Sequence, residues 1–188
     1  MDYINYVKQS PLQGLTGLYG GVQGSLMAAA GASGPPDWQG GKGFAIGGYS
    51  GVADIYSYIH AGPTGASDFG DLTVARGLFG ASASSDNRIC SYGGYAGGLI
   101  TDVIDYFTST SAGNASDFGD LTAVRWGSGG ATNGTRGVVS GSNPSYNINY
   151  ITFANTGNAT NFGTMNNDKY NLAGTSSHQN NSRGVYCG

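Results

Sequence analysis

One eight-residue phrase occurs twice in this chain, as Ala66-Ser67-Asp68-Phe69-Gly70-Asp71-Leu72-Thr73 and as Ala115-Ser116-Asp117-Phe118-Gly119-Asp120-Leu121-Thr122. A looser third copy follows, Ala159-Thr160-Asn161-Phe162-Gly163-Thr164-Met165. The phenylalanines are 49 and 44 residues apart, a period that belongs to propeller blades and solenoid units. A Tyr-containing, β-like run precedes the later copies (Ile104-Asp105-Tyr106-Phe107 and Ile148-Asn149-Tyr150-Ile151). A basic residue follows each copy (Arg76, Arg125, Lys169). Next come a Gly/Ala/Ser run and a second basic residue that opens an apolar strand. A chain written this way is a tandem repeat of small β units.

The apolar strands end in glycine, at Gly47, Gly93, Gly141 and Gly188, with intervals of 46, 48 and 47 residues. Wrapping from Gly188 through Met1 to Gly47 adds a further 47, which divides the chain into four modules. They run approximately over 1–47 (with a closing strand at 183–188), 48–93, 94–141 and 142–188, all within a single domain, 1–188. Residues 8–42 are the irregular part. There Gly34-Pro35-Pro36-Asp37-Trp38 reads as a loop, because proline fixes φ and has no N–H for a sheet ladder.

Each module reads as four short strands. Counted from the small-residue strand, one repeat reads Gly80 to Ser84, Arg88 to Tyr92 closed by a Gly-Gly turn, Asp102 to Thr108 with period-two alternation, and a stretch around Phe118 to Val124. Convincing helical periodicity is absent, so the expectation is an all-β chain. The opening Asp2-Tyr3-Ile4-Asn5-Tyr6-Val7 repeats the Ile-Asn-Tyr core of Tyr146 to Ile151, so the chain opens on a third strand and ends on a second. Pairing of Tyr3–Val7 beside Arg183–Cys187 would close a ring and leave no open edge between the termini.

Glycine supplies 35 of 188 residues, yet 39% of the chain is apolar, which favours an ordered repeat over a low-complexity segment. The small-residue strands fit a crowded axis where larger side chains would overpack. Phe69, Phe118 and Phe162 fit as the apolar mass between modules. The net charge of −3 and the lack of any Lys/Arg run argue against a nucleic-acid partner. No apolar run approaches the ~18 residues of a membrane span, and residues 1–8 lack the features of a signal peptide. Cys90 and Cys187 fall on matching strands of different modules and read as two small buried thiols.

The order of strands, with Gly47-Gly48-Tyr49, Gly93-Gly94-Tyr95, Tyr58, Tyr106, Tyr150, Arg76 and Arg125, resembles the kelch repeat, although Phe69, Phe118 and Phe162 stand where kelch blades usually carry tryptophan. That resemblance implies a four-bladed kelch-like β-propeller closed by pairing of N- and C-terminal strands. The phrase Thr156-Gly157-Asn158-Ala159-Thr160-Asn161-Phe162-Gly163, with Asn133-Gly134-Thr135-Arg136-Gly137-Val138, resembles repeats in structural and tail proteins of marine, cyanophage-like bacteriophages. It covers residues 43–188 well and 1–42 loosely. It implies a non-enzymatic virion protein made in the host cytoplasm, tail or tail-fibre associated, with an assembly or host-attachment role. Its partners would be other virion proteins, further copies of itself and host-surface glycans. The alternatives in view are a capsid decoration protein, a free kelch-like lectin and, least supported, a propeller enzyme.

Paired carboxylates at Asp68/Asp71 and Asp117/Asp120 suit calcium binding or acid/base work. Asn161 and Thr164 replace both acids in the next module, which suits turn hydrogen bonding instead. Asp68 and Asp117 are therefore expected to accept from turn amides, and Asp71 and Asp120 to pair with nearby arginines. Gly70, Gly119 and Gly163 are expected at bulges or turns with positive φ. His60 and His178 lie outside the repeat marks with no nucleophile motif beside them. The sequons at Asn114, Asn133, Asn158 and Asn180 largely belong to the repeat phrase. The Gly14 to Gly21 stretch lacks the Lys-Ser/Thr of a phosphate loop. No catalytic, cofactor-binding or metal residue is assigned. The polar loops Ser84–Asn87, Ser142–Ser145 and His178–Ser182 are the expected contact surface, without a ligand assigned to any one residue.

Overall fold

The computed structural model describes residues 42–48, 51–59, 65–77, 81–85, 87–141, 146–166, 171–176 and 184–187, all in the unit Lys42–Gly188. These residues form strands and turns, with no helix among them. The first sheet is β1 (Lys42–Ile46), β2 (Asp54–Ile59) and β3 (Ser67–Asp71). The second is β4 (Ala81–Ser84), β5 (Arg88–Ala96), β6 (Leu99–Thr108) and β7 (Ser116–Asp120). The third is β8 (Gly129–Thr132), β9 (Arg136–Ser140), β10 (Asn147–Thr152) and β11 (Thr160–Thr164). A fourth contains β12 (Ala173–Ser176) and β13 (Gly184–Cys187). Each is an antiparallel meander in chain order. The repeated sequence thus produces repeated sheets.

The small-residue strands bring the last three sheets together: β8 lies against both β4 and β12. A methyl group added at Gly130 would collide with the Ser82 carbonyl, and one at Gly174 with the Gly130 carbonyl. Thr132 Oγ1 donates to Ser84 O (2.7 Å), tying two of these strands directly. Close backbone approach is therefore the reason for Gly, Ala and Ser here.

Larger side chains fill the wider part. Phe44 and Phe69 of the first sheet meet Phe107 of the second, with centroids 5.0–5.7 Å apart in tilted and edge-on pairs. Phe118 joins a second cluster with Val139, Ile151 and Phe153 of the next sheet. Burying each ring contributes on the order of 1.5–3 kcal/mol. In the second and third sheets the basic residue that opens the second strand lies on the tyrosine of the third strand, Arg88 over Tyr106 at 4.5 Å and Arg136 over Tyr150 at 4.8 Å.

The described fold corrects four local expectations. Phe162 does not serve as inter-module packing: it is 60% exposed, against 5% for Phe69 and 3% for Phe118. Gly93-Gly94 does not close β5 but forms a bulge within it, and the strand runs on to a turn at Gly97-Gly98. The outer strand β7 ends at Asp120, short of Val124. Tyr58 is not the counterpart of Tyr106 and Tyr150, because Ile55, Ile104 and Ile148 face the equivalent Gly70, Gly119 and Gly163, which places Ser57 at the tyrosine level. A one-residue slip of this kind reverses the face. The expected closing pair, Tyr3–Val7 beside Arg183–Cys187, lies largely outside the described residues.

Candidate functional site

The chemically able side chains of the repeat converge at the junctions between sheets. After β3 the chain crosses to the second sheet, and Thr73 donates from both its N–H and its hydroxyl to the Asp105 carboxylate on β6. Arg76 reaches the same carboxylate at 3.1 Å and also donates to Ser91 O (3.3 Å). After β7 the pattern recurs. Thr122 N and Oγ1 donate to Asn149 Oδ1 on β10 (3.0 and 2.8 Å), and Arg125 donates to the same oxygen (3.1 Å) and to Asn147 O (2.9 Å). Arg76, Asp105, Arg125 and Asn149 are all fully buried.

The two latches differ electrically. Burial lowers the Arg76 pKa while Asp105 opposes that fall. Arg125 faces an amide where Arg76 faces a carboxylate, and burial brings its pKa down to about 10. Both buried cations are held by hydrogen bonds, and one lacks the charged partner that would offset its desolvation.

A second tie closes the outer edge of each of the first two sheets. Gly113 N and Ala115 N donate to Phe69 O and Asp71 O, both at 2.7 Å, and Asp71 N donates to Asn114 Oδ1 (3.2 Å). Gly157, Ala159 and Asn158 repeat these contacts on Phe118 O, Asp120 O and Asp120 N at 2.7, 2.7 and 3.0 Å. The glycine of the phrase is needed at this point. Gly70 and Gly119 have φ of +146° and +140°, and a Cβ on either would strike the next module's Gly-Asn backbone.

The acidic residues of the phrase take structural positions. Asp68, Asp117 and Asn161 accept from the N–H of Gly70, Gly119 and Gly163 at 3.1–3.2 Å, as expected. Asp71 and Asp120 do not pair with the arginines: the ion pair among the described residues is Arg76–Asp105. Partial desolvation, then Asp102 and Asp117, hold the Asp120 carboxyl above its usual range. Among the described residues no group of three or more His, Cys, Asp or Glu could hold a metal ion. His60 and His178 lie outside the described residues. Asn114 and Asn158 carry the edge ties, and Asn133 Oδ1 accepts from Thr135 N and Arg136 N.

Cys90 is buried on β5, where desolvation pushes its thiol up to about 12, whereas Cys187 on β13 is exposed rather than buried. Tyr92 beside it is fully buried, its hydroxyl raised well above the ordinary value by the same desolvation.

Two surface depressions lie at opposite ends of the strands. At the turn end, Ser85, Asn87, Arg88, Gly134, Thr135, Phe153 and Ala154 line a cleft of about 370 Å³ between the second and third sheets. It includes part of the polar loop Ser84–Asn87. Arg88 spans its floor by donating to Phe153 O, which fixes the guanidinium across the junction. At the other end, Val74, Tyr95, Ala96 and neighbouring glycines line an open apolar groove of about 700 Å³. The loops Ser142–Ser145 and His178–Ser182 lie outside the described residues. No helix among the described residues is long and apolar enough to cross a membrane.

No family model matches the chain, and no curated protein matches it. Among solved structures it resembles a fungal alcohol oxidase, described as having catalytic diversity among the AA5 family and solved in complex with copper. The identity is 17% and the TM-score 0.57, over 73% of this chain and 32% of the oxidase. The chain therefore spans about a third of that protein's length, and the likeness is one of fold.

Proposed function

We propose that the chain is a non-enzymatic structural protein of a bacteriophage virion, associated with the tail or its fibres, with an assembly or host-attachment role. In this reading the four modules form a kelch-like propeller closed by pairing of the N- and C-terminal strands. The virion reading takes its direction from the resemblance of residues 156–163 and 133–138 to phage structural repeats. One structural observation supports a scaffold role in particular. The repeat's arginines, acids and amides are spent on ties between modules, at Arg76–Asp105, Arg125–Asn149, Asn114–Asp71 and Asn158–Asp120. Contact with host-surface glycans would fall to the turn-end cleft, where Asn87 and Thr135 are exposed beside Arg88.

Mass spectrometry of purified particles tests the reading, with the protein expected at a fixed copy number beside tail components. Recovery with capsid subunits alone would replace it by a decoration protein. Absence from particles, with glycan binding retained by the free protein, would replace it by a lectin.

A further inference from the structure

Among the described residues the arginines divide into two kinds. Arg76 and Arg125 are fully buried and spent on the junctions, and their Nε atoms are sealed from solvent. Arg88 is half-buried and opens onto the turn-end cleft between the second and third sheets. Its Nη1 donates to Phe153 O, and its guanidinium carbon lies 4.5 Å from the centre of the Tyr106 ring. Its Nε and Nη2 have no partner among the described residues, yet neither is sealed from solvent. No carboxylate among those residues offsets its charge, since the ion pair there is Arg76–Asp105.

The cleft therefore holds a positioned cation with donors to spare. Tyr106 and Phe153 already restrain the side chain, so a ligand immobilises little further freedom. A guanidinium edge with two N–H groups matches the two oxygens of a carboxylate. Around Arg88 stand uncharged hydrogen-bonding groups, the exposed side chains of Asn87 and Thr135 and the half-buried Ser85. One cation among neutral donors and acceptors suits a ligand with one charge and several hydroxyls. A phosphate chain would call for a run of cations instead. The volume of about 370 Å³ falls within the range of small-ligand sites.

We propose that this cleft is a subsite for an acidic sugar, with Arg88 pairing its carboxylate and Asn87 and Thr135 bonding its hydroxyls. The inference rests on the glycan contact named above and gives that contact a chemical class. Particle composition tests the virion role and sugar binding by the free protein tests this site, so either can fail alone.

The test is a titration of the full chain, followed by NMR through the backbone amides of Asn87, Arg88, Gly134 and Thr135. The probes are the methyl glycoside of glucuronic acid, the methyl glycoside of glucose, and acetate. The glucuronide is expected to shift these amides at millimolar concentration, with the glucoside and acetate roughly tenfold weaker. Arg88→Gln keeps a donor for Phe153 O and should weaken the glucuronide by a similar factor. Ala154→Glu guards against a disturbed junction, because it leaves Arg88 in place and adds a carboxylate from an exposed position lining the cleft. It too should weaken the glucuronide roughly tenfold. Equal binding of the glucoside would show that the charge is not read, and equal binding of acetate that the hydroxyls are not. Either result would overturn the proposal. So would glucuronide binding that survives Ala154→Glu, shifts confined to other amides, or no shifts at tens of millimolar probe.

Discussion

Arg76 and Asp105 meet at 3.1 Å, both fully buried, although one leaves the edge of the first sheet and the other sits within the second. The pair therefore holds two modules rather than one fold element. Its neighbours Thr73 and Ser91 complete the hydrogen bonding of the carboxylate and of one guanidinium nitrogen.

Removing the carboxylate and removing only its charge should differ sharply. Asp105→Ala leaves a buried, unpaired guanidinium, which costs on the order of 3–5 kcal/mol. Asp105→Asn rebuilds the arrangement that Arg125 already has with Asn149 and should cost clearly less. Urea unfolding of both variants checks this, and equal losses would show that the charge, not the hydrogen-bond geometry, holds the junction.

The inner strands give the second prediction. A Cβ at Gly130 meets the Ser82 carbonyl and the Ala81 methyl, so Gly130→Ala must push β4 and β8 apart. The expected loss is about 1–3 kcal/mol or more, with a lowered midpoint of thermal unfolding. Gly65→Ala is the matched control, since nothing lies within 4 Å of its Cβ position. A silent Gly130→Ala would mean that the strands are not close-packed.

How far these features were legible in the sequence depended on whether cause and partner lay in the same module. Asp68, Gly70 and the bulge that joins them are local, so a turn cap and a positive φ could be read from the phrase itself. The partner of Arg76 is 29 residues on, in another module, at a position that holds Tyr56, Asp105 and Asn149 in successive sheets. Sequence proximity pointed to Asp71 instead. The exposure of Phe162 was hidden for a related reason. Its phrase loosely repeats the one around Phe118, whereas Phe69 and Phe118 owe their burial to residues distant in sequence, Phe107 and Ile151. Of the turn-end cleft, the Ser84–Asn87 loop was anticipated, whereas Thr135 and Phe153 reach it from the next sheet.

Alkaline pH should weaken the fold through Cys90 and Tyr92. The thiol ionises near 9.0 when exposed and near 12 when folded, because burial opposes the anion. Between these values the unfolded chain releases its proton first, so stability falls as pH rises from about 9. Tyr92 acts in the same direction. Cys90→Ala should flatten part of this decline when unfolding is followed from pH 8 to 11. In native protein at pH 8, an alkylating reagent should label Cys187 and leave Cys90 untouched until the chain is unfolded.

The last prediction concerns the junction that lacks a counter-ion. Asn149 uses its oxygen three times, for Thr122 N, Thr122 Oγ1 and Arg125, while its buried Nδ2 has no partner. Asn149→Asp replaces that orphaned donor with a second acceptor and gives Arg125 a carboxylate in the position Asp105 holds for Arg76. The orphaned donor alone costs about 1–3 kcal/mol. The new carboxylate adds its own desolvation, but beside a cation that is already buried. The expected result at pH 7 is a gain of about 1 kcal/mol, read as a higher urea midpoint. Arg125 would hold the new carboxyl's folded pKa below its unfolded value, so the gain should be present above about pH 4 and fade as pH falls through the folded pKa. Wild type and variant should therefore converge at acid pH. A variant that is less stable than wild type at pH 7 would show that the amide, with its smaller desolvation, is the better partner at this junction, and that the two latches are tuned differently rather than one being incomplete.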